Sequence, residues 1–122
     1  MKQSEHELQK AVCKYMDYHP QQILYCGSAG GVRTSITQAK KMKATGYKKG
    51  HPDLVCYNAR GPYHGLAIEL KVKGNYPTKE QKEWLQKLKD EGWMAVCCKG
   101  FEDAKQVIDN YFNLSKHEKR TD

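Results

Sequence analysis

No apolar run in this chain approaches the roughly 18 residues a membrane-spanning helix needs, and the N-terminus has no hydrophobic segment of the signal-peptide kind. The expectation is a cytoplasmic protein, of a bacterial cell or a phage-infected host, with no membrane partner. The cysteines, Cys13, Cys26, Cys56, Cys97 and Cys98, are odd in number and lack any C-x-x-C spacing, which argues against a zinc site or a disulfide framework. Most stand in apolar surroundings, where cysteine serves as a small core residue. Histidines are scattered, and there are no internal repeats or low-complexity tracts. At 122 residues the chain has no room for a second domain. We expect one domain over residues 1–113 and a polar tail over 114–122, with no small-molecule organic cofactor.

Acidic residues are also scarce where the chain begins. Residues 1–79 hold 13 Lys and Arg against 5 Asp and Glu, whereas residues 80–122 hold 8 against 9. Between Arg33 and Gly50 there is no acid at all, only Arg33, Lys40, Lys41, Lys43, Lys48 and Lys49. Charges of one sign repel unless screened, and a phosphate backbone would screen them. Those six are the candidate nucleic-acid contacts. A solvated lysine face is the plainer alternative.

Periodicity supplies the elements. Ser4 caps a helix over about 4–18 in which Leu8, Ala11, Val12, Tyr15 and Met16 recur at helical spacing, and His19-Pro20 ends it. Ile23–Cys26 reads as a strand and Gly27-Ser28-Ala29-Gly30-Gly31 as a loop. Thr34 or Ser35 caps a short helix ending at Gly46, with Ile36, Ala39 and Met42 inward. Leu54–Tyr57 and Ala67–Val72 form a hairpin closed by Asn58–Gly65, with Arg60 and His64 exposed in its turn. Thr78 and Gln81 occupy the N-cap and N3 positions of the next helix. Gly92 ends it, Trp93–Cys98 is an apolar strand buried on both sides, and Phe101–Phe112 is a last amphipathic helix. A strand reached across a helix implies a parallel crossover.

Side chains alternate across a strand, so Glu69 and Lys71 share one face while Ile68, Leu70 and Val72 take the other. A charged pair on a core-type strand is costly unless partnered or bound to a metal. The hairpin brings Asp53 beside Glu69. Two carboxylates and an ammonium in one small volume suit a divalent cation, since Mg²⁺ takes one or two carboxylates and completes its sphere with water and phosphate oxygens. The chemistry that fits is hydrolysis of a nucleic-acid phosphodiester.

Pro52-Asp53 followed by Glu69-Leu70-Lys71 resembles the signature of the PD-(D/E)xK nucleases. The wider pattern, Gly50-His51-Pro52-Asp53-Leu54, Ala67-Ile68-Glu69-Leu70-Lys71, Thr78-x-x-Gln81 and Gly92, resembles the virus-type replication-repair nuclease (VRR-NUC) subfamily over residues 3–110. The resemblance implies an α/β, restriction-endonuclease-like αβββαβ sandwich around a mixed sheet. It implies Asp53 and Glu69 as ligands of Mg²⁺ or Mn²⁺ with the Leu70 carbonyl beside them, and Lys71 as the catalytic cation. Glu5-His6-Glu7-Leu8 is similar to a Glu-x-Glu-Leu of archaeal junction-resolving relatives, which favours Glu5 as a third acid and keeps Glu7 in reserve. The helix dipole explains both acids equally well. Gln81 is either a supporting group of the site or only the partner of a capping box. Ser28 matches a Ser-Ala-Gly element beside the active site.

The activity so implied is metal-dependent endonucleolytic cleavage of DNA, with four-way junctions as first substrate and a homodimer as the working form. A flap or nicking nuclease, and the catalytic subunit of a repair or restriction assembly, are the alternatives among enzymes. A non-catalytic nucleic-acid-binding module is the alternative outside them.

Overall fold

A computed structural model describes residues 3–28 and 35–116 of the chain. Ser4 is extended and its Oγ accepts from the Glu7 amide at 3.1 Å, which opens helix α1, Glu5–Asp17. Leu8, Val12 and Met16, four residues apart, form its buried face. Strand β1, Tyr25–Gly27, starts later than its sequence suggests, because the Leu24 amide donates to Asn58 Oδ1 at 2.7 Å and is lost to the ladder. Then follow α2 (Ile36–Ala44), β2 (Leu54–Cys56), β3 (Leu66–Lys71), α3 (Lys79–Asp90), β4 (Met94–Lys99) and α4 (Phe101–Phe112).

The sheet order is β1-β2-β3-β4. The first three strands are antiparallel, and β4 runs parallel to β3 across α3. This is the mixed-sheet αβββαβ sandwich expected from the sequence. On one face Leu54, Cys56, Leu66, Ile68, Leu70 and Cys98 pack with the inner residues of α1 and α4, and each fully buried Leu or Ile contributes about 1.5–3 kcal/mol. On the other, Ala67 and Ala95 meet Leu85 of α3. Glu69 and Lys71 share the parity of Ala67, and they are only 1% and 9% exposed. Their charges are therefore carried inside the fold.

Three local expectations fail. α2 buries no residue, and Ile36, expected inward, is 78% exposed. A helical period marks which side chains share a face, and it does not provide a surface for that face to meet. The helix is fixed at its ends instead, by Ser35 Oγ accepting from the Gln38 amide and by the Tyr47 amide donating to Met42 O at 2.9 Å. β4 is half-buried rather than buried on both sides, since it forms the edge of the sheet. Arg60, expected exposed, is buried over the Phe112 ring, 5.1 Å from its centroid, whereas His64 is exposed.

After α4 the chain stays on the protein body, with Leu114 against Gly61 and Ser115 O accepting from the Gly61 amide at 2.7 Å. Residues 117–122 of the expected tail, like Arg33 and Thr34, lie outside the described residues. Among the described residues no helix is long and apolar enough to cross a membrane.

The segment between α2 and β2 is seated on α3. Gly50 is buried there with φ of 95°, and a Cβ on it would lie 2.6 Å from the Glu80 carbonyl carbon. That backbone is helical and cannot yield. Gly50→Ala is expected to destabilise the protein by at least about 1–3 kcal/mol, the usual cost of overpacking, with left-handed strain added. Urea denaturation of the two proteins measures it. A change under about 0.5 kcal/mol, the range of ordinary surface substitutions, would show that the loop is not seated this way.

Candidate active site

The register Leu54↔Ile68 places Asp53, just before β2, opposite Glu69. Asp53 is tied down on both sides. Its Oδ2 accepts from the Leu70 amide at 2.7 Å, and its carbonyl accepts from the Ser28 amide at 2.8 Å. The Asp53 and Glu69 carboxyls hydrogen-bond to each other. From the first turn of α1, Glu5 reaches the end of β3 and sets Oε1 3.7 Å from Lys71 Nζ. Glu7 is exposed. Of the two acids in that turn, only Glu5 lines the cavity that Lys71 also lines.

These groups surround a cavity of about 110 Å³ lined by Glu5, Ser28, Tyr47, Gly50, His51, Asp53, Glu69, Lys71 and Gln81. Burial, then the Asp53 charge and the hydrogen bond to Asp53, push the Glu69 carboxyl up to about 9, against the pull of Lys71. Burial also raises Asp53, opposed by the Leu70 amide, the Glu69 hydrogen bond and Lys71. One ammonium does not neutralise three acids. The pair answers by holding a proton, as like charges in a shared site do.

The residues fit a divalent cation. Among the described residues Glu5 Oε1 and Glu69 Oε2 are buried acceptors that meet no hydrogen-bond donor, and a cation would satisfy both. Among the described residues no three acidic, histidine or cysteine side chains form a preformed cage. A small hard cation needs none, because one or two carboxylates suffice when water and phosphate oxygens supply the rest.

Gln81 takes both expected positions. Its Oε1 accepts from the Thr78 amide at 2.8 Å while its own amide donates to Thr78 Oγ1, completing the capping box, and its side chain lines the cavity. Lys40, Lys41, Lys43, Lys48 and Lys49 are exposed and do not line it. Lys48 and Lys49 stand in the chain between the cavity residues Tyr47 and Gly50.

Two cavity residues were not among the expected site residues, although His51 stands in the quoted motif. Tyr47 is one, its phenol raised by burial and then by the charges of Glu69 and Asp53. His51 is the other, packed edge-on against Trp84 with ring centroids 5.1 Å apart. Trp84 Nε1 also donates to Lys49 O at 3.2 Å, so α3 holds the loop that carries both residues over the acids. Neither belongs to a periodic pattern. The one available signal was position, since both lie within six residues of Asp53.

The model of the VRR-NUC domain family matches residues 2–102 of this chain. A solved structure described as a VRR_NUC domain protein superposes with a TM-score of 0.77 at 34% identity, covering 94% of this chain and 93% of that one. No curated protein matches in sequence.

Proposed function

Since the chain belongs to the VRR-NUC nuclease family, we propose that it is a Mg²⁺- or Mn²⁺-dependent endonuclease that cuts branched DNA, four-way junctions first, as a homodimer. The observation that carries the catalytic part is the meeting of Glu5, Asp53, Glu69 and Lys71, from three separate stretches of chain, around one cavity. A nucleic-acid-binding module gains nothing from carboxylates turned toward phosphate.

Asp53, Glu69 and the Leu70 carbonyl would hold the cation, with Glu5 as the third acid. When bound, the cation supplies Lewis-acid charge for the phosphate and acidifies water at neutral pH. Lys71 then holds the attacking water or steadies the phosphate oxygens as they gain charge, and Glu5, 3.7 Å away, keeps the ammonium aimed. The water oxygen bonds to phosphorus, one P–O ester bond breaks, and the departing oxygen takes up a proton. The Leu70 amide orients Asp53 without consuming its second oxygen. Gln81, anchored by its capping box, lines the far wall as a supporting group.

Phosphate contacts dominate affinity for nucleic acid, and the exposed lysines of α2 and the following loop supply them. Ser28 stands beside Asp53 and Arg33 follows in the same loop of sequence. Within these 122 residues, selectivity falls to loops and symmetry. A two-fold pair of sites matches a two-fold junction, and C₂ pairing is the commonest oligomer. The test is cleavage of labelled four-way junction, flap, nicked and plain duplex DNA side by side with Mg²⁺ or Mn²⁺, alongside the mass in solution. Junction cutting at least tenfold above the others by a dimer is expected. Preference for flaps or nicks would move the substrate, and binding without cutting would favour the binding module.

A further inference from the structure

A second hollow, about 500 Å³, opens from the catalytic acids and runs along α1. Its lining begins at Glu5 and Asp53 and includes His6, Gln9, Lys10, Cys13, Lys14 and Asp17. These positions recur at three- and four-residue steps, so they form one continuous face of α1, distinct from the Leu8, Val12 and Met16 face that enters the core. From Glu5 to Asp17 that face is about 18 Å long at 1.5 Å per residue. Across from it stand Ser28 and Asp53, with Gly27 at the end of β1 facing Gln9. Gly27 keeps the wall open, since a Cβ there would come within 3.3 Å of Gln9 Nε2.

The charges along this hollow are ordered. The acids lie at one end. At the other Asp17 accepts from the Tyr25 hydroxyl at 2.7 Å. Between them stand Lys10 and Lys14, exposed, with no salt bridge among the described residues and about one helical turn apart. Four residues of helix rise about 6 Å, comparable to the step between successive phosphates of an extended strand. The space is of a size that takes small ligands, and a duplex is too wide for a hollow between one helix and one strand. Of the described candidate nucleic-acid contacts, only Ser28 borders it.

We propose that this hollow is the track for the single DNA strand flanking the scissile phosphate where it leaves the duplex at the branch, with Lys10 and Lys14 as positioning residues that hold two successive phosphates. The proposal rests on the nuclease reading. It adds a direction to it, because the strand leaves the acids along α1 rather than toward α2. Both lysines act on binding and register, not on the reacting atoms.

The test is binding of a fluorescein-labelled single-stranded oligonucleotide across a salt series, with Ca²⁺ replacing Mg²⁺, by wild type and by the Lys10→Ala/Lys14→Ala double variant. Loss of two phosphate contacts should reduce the slope of log affinity against log salt by about 1.4, at about 0.7 per contact on a single strand. Affinity near 0.1 M salt should fall about tenfold. In Mg²⁺ the double variant should show a raised KM with kcat within twofold, and Lys10→Arg/Lys14→Arg should restore binding. Lys87→Ala/Lys89→Ala, at the far end of α3, should change neither. A neutral methylphosphonate beside the cut, on one side only, should weaken wild type and leave the double variant indifferent. If wild type cuts DNA while the double variant keeps the same affinity and slope, the track is wrong and the nuclease reading stands. A reduced slope without cleavage by wild type would keep the track and remove the catalysis, and a wild type that neither binds nor cuts would end both.

Discussion

Asp53→Asn and Lys71→Ala are each expected to lower cleavage of labelled DNA by at least about 10³-fold, the scale on which removing a single preorganised charge or donor acts. Asparagine retains an oxygen for the Leu70 amide, which Asp53 Oδ2 now accepts at 2.7 Å. Its effect is therefore chemical rather than a collapse of β3. Removing a negative charge near phosphate should leave DNA binding intact or make it tighter. Lys71→Ala should behave differently, because Glu5 Oε1 and Glu69 Oε2 meet no hydrogen-bond donor among the described residues and would also lose the neighbouring ammonium. It should weaken binding and cost stability as well as cleavage. Single-turnover cleavage, paired with binding by fluorescence anisotropy, separates these effects. Full activity in Asp53→Asn would remove Asp53 from the reaction, and with it the proposed centre.

The second large effect concerns stability in the absence of metal. Glu69 titrates near 9 in the folded protein because burial, then the Asp53 charge and hydrogen bond, disfavour its ionised form, against an ordinary value of 4.5. The folded state therefore binds a proton that the unfolded state releases. Its contribution to stability is complete below about pH 4.5 and is lost progressively as pH rises to about 9. In EDTA, the Tm of wild type should fall between pH 6.5 and pH 9. Glu69→Gln, which cannot ionise, should abolish most of that slope and exceed wild type at pH 8 by about 1–3 kcal/mol, the cost of a buried unsatisfied polar group. Mg²⁺ should raise the wild-type Tm, increasingly with pH, because it binds the ionised form, and should do little for the variant. A wild type minus variant difference that stays flat with pH would show that Glu69 does not carry the buried proton. The pattern is also the expected signature of an active site, where a substitution that ends function adds stability.

The motif residues were legible because strand alternation and a hairpin leave little freedom. Once Leu54 pairs with Ile68, Asp53 must face Glu69, and the parity of β3 puts Lys71 beside them. Glu5 was named by a likeness of sequence, with Glu7 as an equal under the helix-dipole argument. What separates them is the approach of α1 to the end of β3, which no local pattern encodes. Tyr47 was missed, and His51 was named in the motif without a role in the site, for a related reason. They are placed by Gly50 against Glu80 and by Trp84 against Lys49, contacts that span some 30 residues of chain. The inward packing expected for Ile36 was wrong because amphipathicity states a preference and does not supply a partner.

By itself the sequence determined the order of elements, the mixed sheet and the coincidence of Asp53, Glu69 and Lys71, all of which follow from short-range periodicity and ladder register. Tertiary structure alone decided which acid of α1 joins them, that Tyr47 and His51 cover the cavity, that α2 stands clear of the core, and that a hollow leads away along α1. Those outcomes depend on how separate elements stack, and stacking is fixed by long-range packing of surfaces that no window of sequence contains.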